Sequence, residues 1–129
     1  MTHRSIILIE YETGLRHVLG DCLSELGGWE VKLSGSIQEG ITLCEEKRPD
    51  VILMDASTAE SDALILVEQL KQYSADQAIP IVLLSPRASW FSLGEFRQMG
   101  FAGAISKPFN PSTLSDQIVR WISLVEPKT

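Results

Sequence analysis

The stretch Pro49-Asp50-Val51-Ile52-Leu53-Met54-Asp55 decides the fold. Proline halts any helix before it. Four apolar residues then follow without polar alternation, and a carboxylate closes the run. Such a run reads as a strand covered on both faces. Ile6-Ile7-Leu8-Ile9 and Ile81-Val82-Leu83-Leu84 have the same character and end at Glu10 and Ser85. Trp29 to Leu33 alternates and reads as a half-exposed edge strand, and Gly103 to Ser106 as a short strand before Lys107-Pro108.

Helical periodicity fills the gaps. Thr13 can cap a first helix whose inward face carries Leu15, Val18, Leu19, Cys22, Leu23 and Leu26, ended by Gly27-Gly28. Ser36 can cap a second, with Ile37, Ile41 and Cys44 inward. Residues 56–61 suit a loop, and Asp62 can cap a third helix carrying Leu64, Val67 and Leu70. Residues 87–99 form a weaker candidate interrupted by Gly94, with Phe96 and Met99 toward the core. Asn110 or Ser112 can start the last helix, where Leu114, Ile118, Trp121, Ile122 and Val125 share a face. Five strands alternating with five helices imply an α/β doubly wound, five-stranded parallel sheet with right-handed crossovers and helices on both faces. At 129 residues, the chain is expected to form one domain over 1–129.

Composition narrows the function. Hydrophobic residues make up 44% and charged residues 22%, and the formal charge is −6, so a nucleic-acid-binding surface is not expected. No segment approaches the roughly 20 apolar residues of a membrane span, and no signal peptide is apparent. The expected location is cytoplasmic. Cys22 and Cys44 fall on apolar helix faces and read as small core residues, while His3 and His17 are isolated and read as surface residues.

In open parallel sheets ligands bind beyond the carboxyl ends of the strands. Here those ends carry Glu10-Tyr11-Glu12, Asp55, Ser85 and Lys107. A carboxylate can accept a phosphoryl group as a nucleophile. That transfer needs positioning and charge neutralisation more than covalent help. A hard cation on carboxylate oxygens, a lysine ammonium and a hydroxyl can each supply part of this. Any one of these residues alone would mean little, and a Lys107–Asp55 ion pair could be purely structural; the signal is the joint pattern.

From Ile6 to about Val125 the sequence resembles the receiver domain of two-component response regulators. The most specific local match is Lys107-Pro108-Phe109 after Gly100-Phe101-Ala102-Gly103, joined by Pro49 to Asp55. The resemblance implies a flavodoxin-like sheet in the order 2-1-3-4-5 with Asp55 as phosphoacceptor. It implies Ser85 and Lys107 as its partners and a cis bond between Lys107 and Pro108. It implies Mg2+ held by Glu10, Asp55 and the backbone carbonyl of Ser57. Such a domain is a signalling phosphoacceptor, with at most self-phosphorylation and self-dephosphorylation at Asp55, rather than an enzyme.

The sequence departs from the family at several points. Tyr11 replaces the usual second metal-binding aspartate, and a phenol with a pKa of about 10 is neutral near pH 7. Metal binding should weaken accordingly. Glu12 either compensates or is an acid favoured by the helix dipole. Ala59 and Ala63 stand where proline and glycine are frequent, so the loop is less preset. Ala104 stands where many members carry a switching Tyr or Phe, so a signal must leave by another route, such as the loop after Ser85. Pro86 either stiffens that loop or simply starts the next helix.

Two functional readings stand open. Either Asp55 accepts phosphate from a histidine kinase or phosphotransfer protein, or the domain is a degenerate, phosphate-independent interaction module. A flavodoxin-like enzyme or ligand-binding protein would need a phosphate-cradling glycine loop, which Glu10 to Gly14 does not provide. Trp90, Leu93 and Arg97 would line one side of the fourth helix and serve as an interface, or Trp90 packs over the sheet edge as core. The resemblance also allows a homodimer through the fourth helix, last strand and last helix. The sequence stops just after that helix, so the expected mode of action is docking to a separate output partner, unless the chain is a piece of a larger protein.

Overall fold

A computed structural model of the chain describes residues 4–56, 60–72 and 79–125. The five strands are β1 (Ser5–Ile9), β2 (Glu30–Ser34), β3 (Val51–Asp55), β4 (Ile81–Ser85) and β5 (Gly103–Ser106). All pair in parallel, in the order β2-β1-β3-β4-β5. The helices are α1 (Thr13–Asp21), α2 (Ile37–Glu46), α3 (Glu60–Lys71), α4 (Leu93–Met99) and α5 (Pro111–Val125).

Strand alternation sorts the core into two layers. Ile7, Ile9, Ile52, Met54, Ile81 and Leu83 face α2, α3 and α4. Ile6, Leu8, Val51, Leu53, Val82 and Leu84 face α1 and α5. This is why β1, β3 and β4 read as unbroken apolar runs: both faces are covered. None of the described helices is long and apolar enough to cross a membrane.

Several local expectations are corrected. Glu12, not Thr13, caps α1, its carboxylate accepting from the backbone N–H groups of Gly14 and Leu15 at 2.9 and 2.5 Å. The last turn of that helix widens into a π-type turn over Cys22–Leu26. The wider turn rotates its later residues off the apolar stripe, and Leu26 is 63% exposed. Val18 flanks the inward row Leu15, Leu19, Leu23 and is 65% exposed. Cys44 is buried, whereas Cys22 is only partly covered and its thiol lies 3.4 Å from the Pro111 carbonyl.

α3 starts at Glu60, so Asp62 lies inside its first turn. Its inward row is Ala63, Leu66, Val67 and Leu70; Leu64 sits beside that row and is exposed. The segment 87–99 is two pieces, a 3-10 turn at Ala88–Trp90 and α4. The break is at Phe91-Ser92, where Ser92 and Glu95 form a reciprocal capping box, rather than at Gly94. Trp90 is therefore not on α4. Pro86 is exposed and lies in the turn ahead of the 3-10 segment. Asn110 starts α5, its side chain accepting from the Ser112 N–H at 3.0 Å. His17 is exposed; His3, Ser57 and Ala59 lie outside the described residues.

Candidate functional site

The tips of β1, β3 and β5 converge. Asp55, the last residue of β3, has a side chain only 3% exposed, and the Lys107 ammonium bonds its Oδ2 directly. Lys107 is placed by the end of β5: its backbone N–H donates to the Ser85 carbonyl at 3.1 Å, and the Lys107–Pro108 peptide is cis. Glu10 follows β1, and its N–H donates to the Ser34 carbonyl at 3.0 Å. Its side chain is buried beside Asp55.

The electrostatics arise from that packing. Burial first, then hydrogen bonding to Asp55, pushes the Glu10 carboxyl from 4.5 up to about 7. Its Oε1 accepts from the Glu12 N–H at 3.0 Å, which opposes the rise. Its Oε2 has no fixed hydrogen-bond partner within usual geometry among the described residues. A buried carboxylate oxygen left open beside a second carboxylate calls for a proton or a cation.

The same observation tests the fit of magnesium. Glu10 and Asp55 supply two hard oxygen donors side by side, and magnesium needs only one or two carboxylates because it keeps several waters. The donor set fits such an ion. No group of three or more His, Cys, Asp or Glu capable of holding a metal occurs among the described residues.

Tyr11 does not take the place of the missing acid. Its hydroxyl donates to Asp62 Oδ2 on α3 at 2.7 Å, and partial burial with that carboxylate pushes the phenol up to about 12. Glu12 points away into its capping role, and its carboxyl is held below the usual range by the backbone N–H groups of Leu15 and Gly14. The Glu10 backbone carbonyl is tied to α1 by the Arg16 guanidinium at 2.8 Å.

Ser85 ends β4, in register with Ser106 of β5. Its hydroxyl accepts from the Arg87 N–H at 3.0 Å, which ties it to the turn that carries Trp90. Ser85 also lines an apolar groove of about 180 Å³ walled by Leu64, Leu83, Phe91, Phe96 and Phe101. Trp90 is 71% exposed, so the core alternative fails, and the Arg87 guanidinium lies 5.9 Å from its ring centroid. Arg97 is exposed and Leu93 half-buried on α4. The sequence carries no sign of the groove or of the Tyr11–Asp62 bond, since both join residues far apart in the chain.

The family profile of the response regulator receiver domain matches residues 6–119. The chain belongs to this family. It is similar to response regulator Rre1 of Synechocystis sp., at 26% identity over 90% of this chain and 50% of that protein. It is similar also to the phosphate regulon transcriptional regulatory protein PhoB of Pseudomonas aeruginosa, at 25% identity over 88% and 49%. The receiver domain thus spans about half the length of the curated relatives it matches. Among solved structures, the chemotaxis protein CheY4 of Vibrio cholerae shares the fold, with a TM-score of 0.79, 24% identity and coverage of 92% and 98%. The receiver domain of the sensor histidine kinase PA1611 of Pseudomonas aeruginosa, solved with a magnesium ion coordinated in its active site cleft, gives a TM-score of 0.76 at 25% identity over 95% and 99%.

Proposed function

We propose that this receiver domain accepts a phosphoryl group on Asp55 from a histidine kinase or phosphotransfer protein and passes the signal through the surface around Trp90. The observation that carries this reading is the buried contact of Asp55 with Lys107 beside the open oxygen of Glu10.

A magnesium ion on Glu10, Asp55 and the Ser57 carbonyl would supply charge neutralisation at the phosphoryl oxygens. The chain's own residues do the rest. An Asp55 carboxylate oxygen attacks phosphorus, a new O–P bond forms, and the bond from phosphorus to the donor breaks with its electron pair leaving on the donor. Lys107 holds the carboxylate in place and neutralises charge as a compact ammonium. Ser85 then turns its hydroxyl to a phosphoryl oxygen and gives up the Arg87 N–H. The turn with Arg87 and Trp90 loses that tie to β4, an exit for the signal that needs no aromatic residue at position 104.

The test is intact-mass measurement after incubation with a small phosphodonor and Mg2+. One phosphoryl adduct, absent in Asp55→Ala, is expected; no adduct, or one that persists in Asp55→Ala, overturns the reading. The loss of an acid at Tyr11 favours a second reading, a phosphate-independent docking module. That reading requires partner binding unchanged in Asp55→Ala and lost in Trp90→Ala.

A further inference from the structure

We infer that Tyr11 is a specificity-determining positioning residue: its bond to Asp62 latches the mouth of the acidic pocket and discriminates against small free phosphodonors. The inference rests on the proposed phosphoryl acceptance at Asp55.

Three observations meet here. The nucleophile is almost fully covered, its side chain 3% exposed, so the rim must open before a phosphoryl group can reach it. β1 and β3 are neighbours in the sheet, and Tyr11 directly follows Glu10, whose buried carboxyl lies beside Asp55. Tyr11, just beyond β1, donates to Asp62, in the first turn of the helix after β3, at 2.7 Å. The bond spans 51 residues of sequence and ties the segment after β1 directly to the first turn of α3. Tyr11 itself is 38% exposed, so the bond is open to solvent next to the Glu10 segment.

A hydroxyl–carboxylate bond at such a site shifts an opening equilibrium by a modest factor, about two- to tenfold. A small donor makes too few contacts to offset this loss. A docked protein donor touches the surrounding surface and can offset it. The latch therefore slows free acyl phosphates more than a protein-bound phosphohistidine. The neighbouring Glu10 is anchored through the same segment, because its Oε1 accepts from the Glu12 N–H.

The experiment compares wild type, Tyr11→Phe, Asp62→Ala and the double variant as full chains. The probe is acetyl phosphate with Mg2+, and intact mass gives the rate of adduct formation. Each single variant is expected to react about two- to tenfold faster than wild type, and the double variant no faster than either single one, because both remove the same bond. Rates at or below wild type, or effects that multiply in the double variant, overturn the latch. A second readout needs no phosphoryl chemistry: amide hydrogen exchange at Glu12 by NMR. Faster exchange in Tyr11→Phe, with the melting temperature unchanged, is expected. Unchanged exchange overturns the latch. If exchange responds but no variant forms an adduct, the phosphoacceptor reading fails and the discrimination falls with it, leaving only the structural tie. If wild type forms the adduct and neither readout responds, the latch alone fails.

Discussion

Replacing Glu10 with glutamine should abolish a pH dependence of stability that the buried acid creates. Glu10 has its carboxyl raised from 4.5 to about 7 by burial and by Asp55. Between those values the folded protein binds more protons than the unfolded chain. Stability must then fall as pH rises through this window: the contribution is complete below 4.5 and gone above about 7. At roughly 1.4 kcal/mol per pH unit the gap sets a ceiling of about 3 kcal/mol. Part of the shift comes from the neighbouring Asp55 rather than from burial, so about half of that ceiling is the working expectation. Glu10→Gln keeps the neutral shape without the ionisation. Urea unfolding of wild type and Glu10→Gln from pH 4.5 to 8.5 reads the difference. The two should agree near pH 4.5, and the variant should be more stable by about 1.5 kcal/mol at pH 8. Parallel curves, or a less stable variant at pH 8, would show that Glu10 is charged in the folded state and refute the account.

Other perturbations address the frame that holds the site. A Cβ at Gly103 would clash with the Trp121 indole, so Gly103→Ala should cost about 1–3 kcal/mol in chemical unfolding. Ser92→Ala removes half of the capping box of α4 and should cost about 1 kcal/mol, with the loss of helix order confined to 93–99 in amide exchange.

The sheet is legible in the sequence because its signal is local and redundant. Val51 to Met54 is apolar whatever the rest of the chain does, and the strand tips inherit their convergence from the parallel topology. That topology alone suffices to place Asp55, Lys107 and Glu10 together. The features that escape the sequence depend on phase or distance. Ala63 hides the inward row of α3 because a methyl group carries little weight in a periodicity, and Leu64 beside it carries more. Leu26 loses its place because a π-type turn inserts extra rotation that no residue announces. The pair Ser92 and Glu95 does announce a helix start, and only the interruption assigned to Gly94 conceals it. Tyr11 and Asp62 give no signal at all, being a phenol and a carboxylate 51 positions apart.

The tyrosine also changes what the pocket needs. With Glu10 protonated, Asp55 ionised and Lys107 charged, these three groups sum to zero. The cluster is then electrically balanced below about pH 7 without a cation, which a second carboxylate at position 11 would prevent. A divalent ion using Glu10 must therefore expel a proton, and its affinity should rise with pH up to about tenfold per unit below pH 7 and level off above it. Calorimetry of Mg2+ binding at pH 6 and pH 8, in two buffers of different ionisation enthalpy, measures this directly. About one proton should be released per ion at pH 6 and almost none at pH 8. Equal affinities and no proton release at pH 6 would mean that the ion does not use Glu10, and the compensation between Tyr11 and a neutral Glu10 would have to be abandoned.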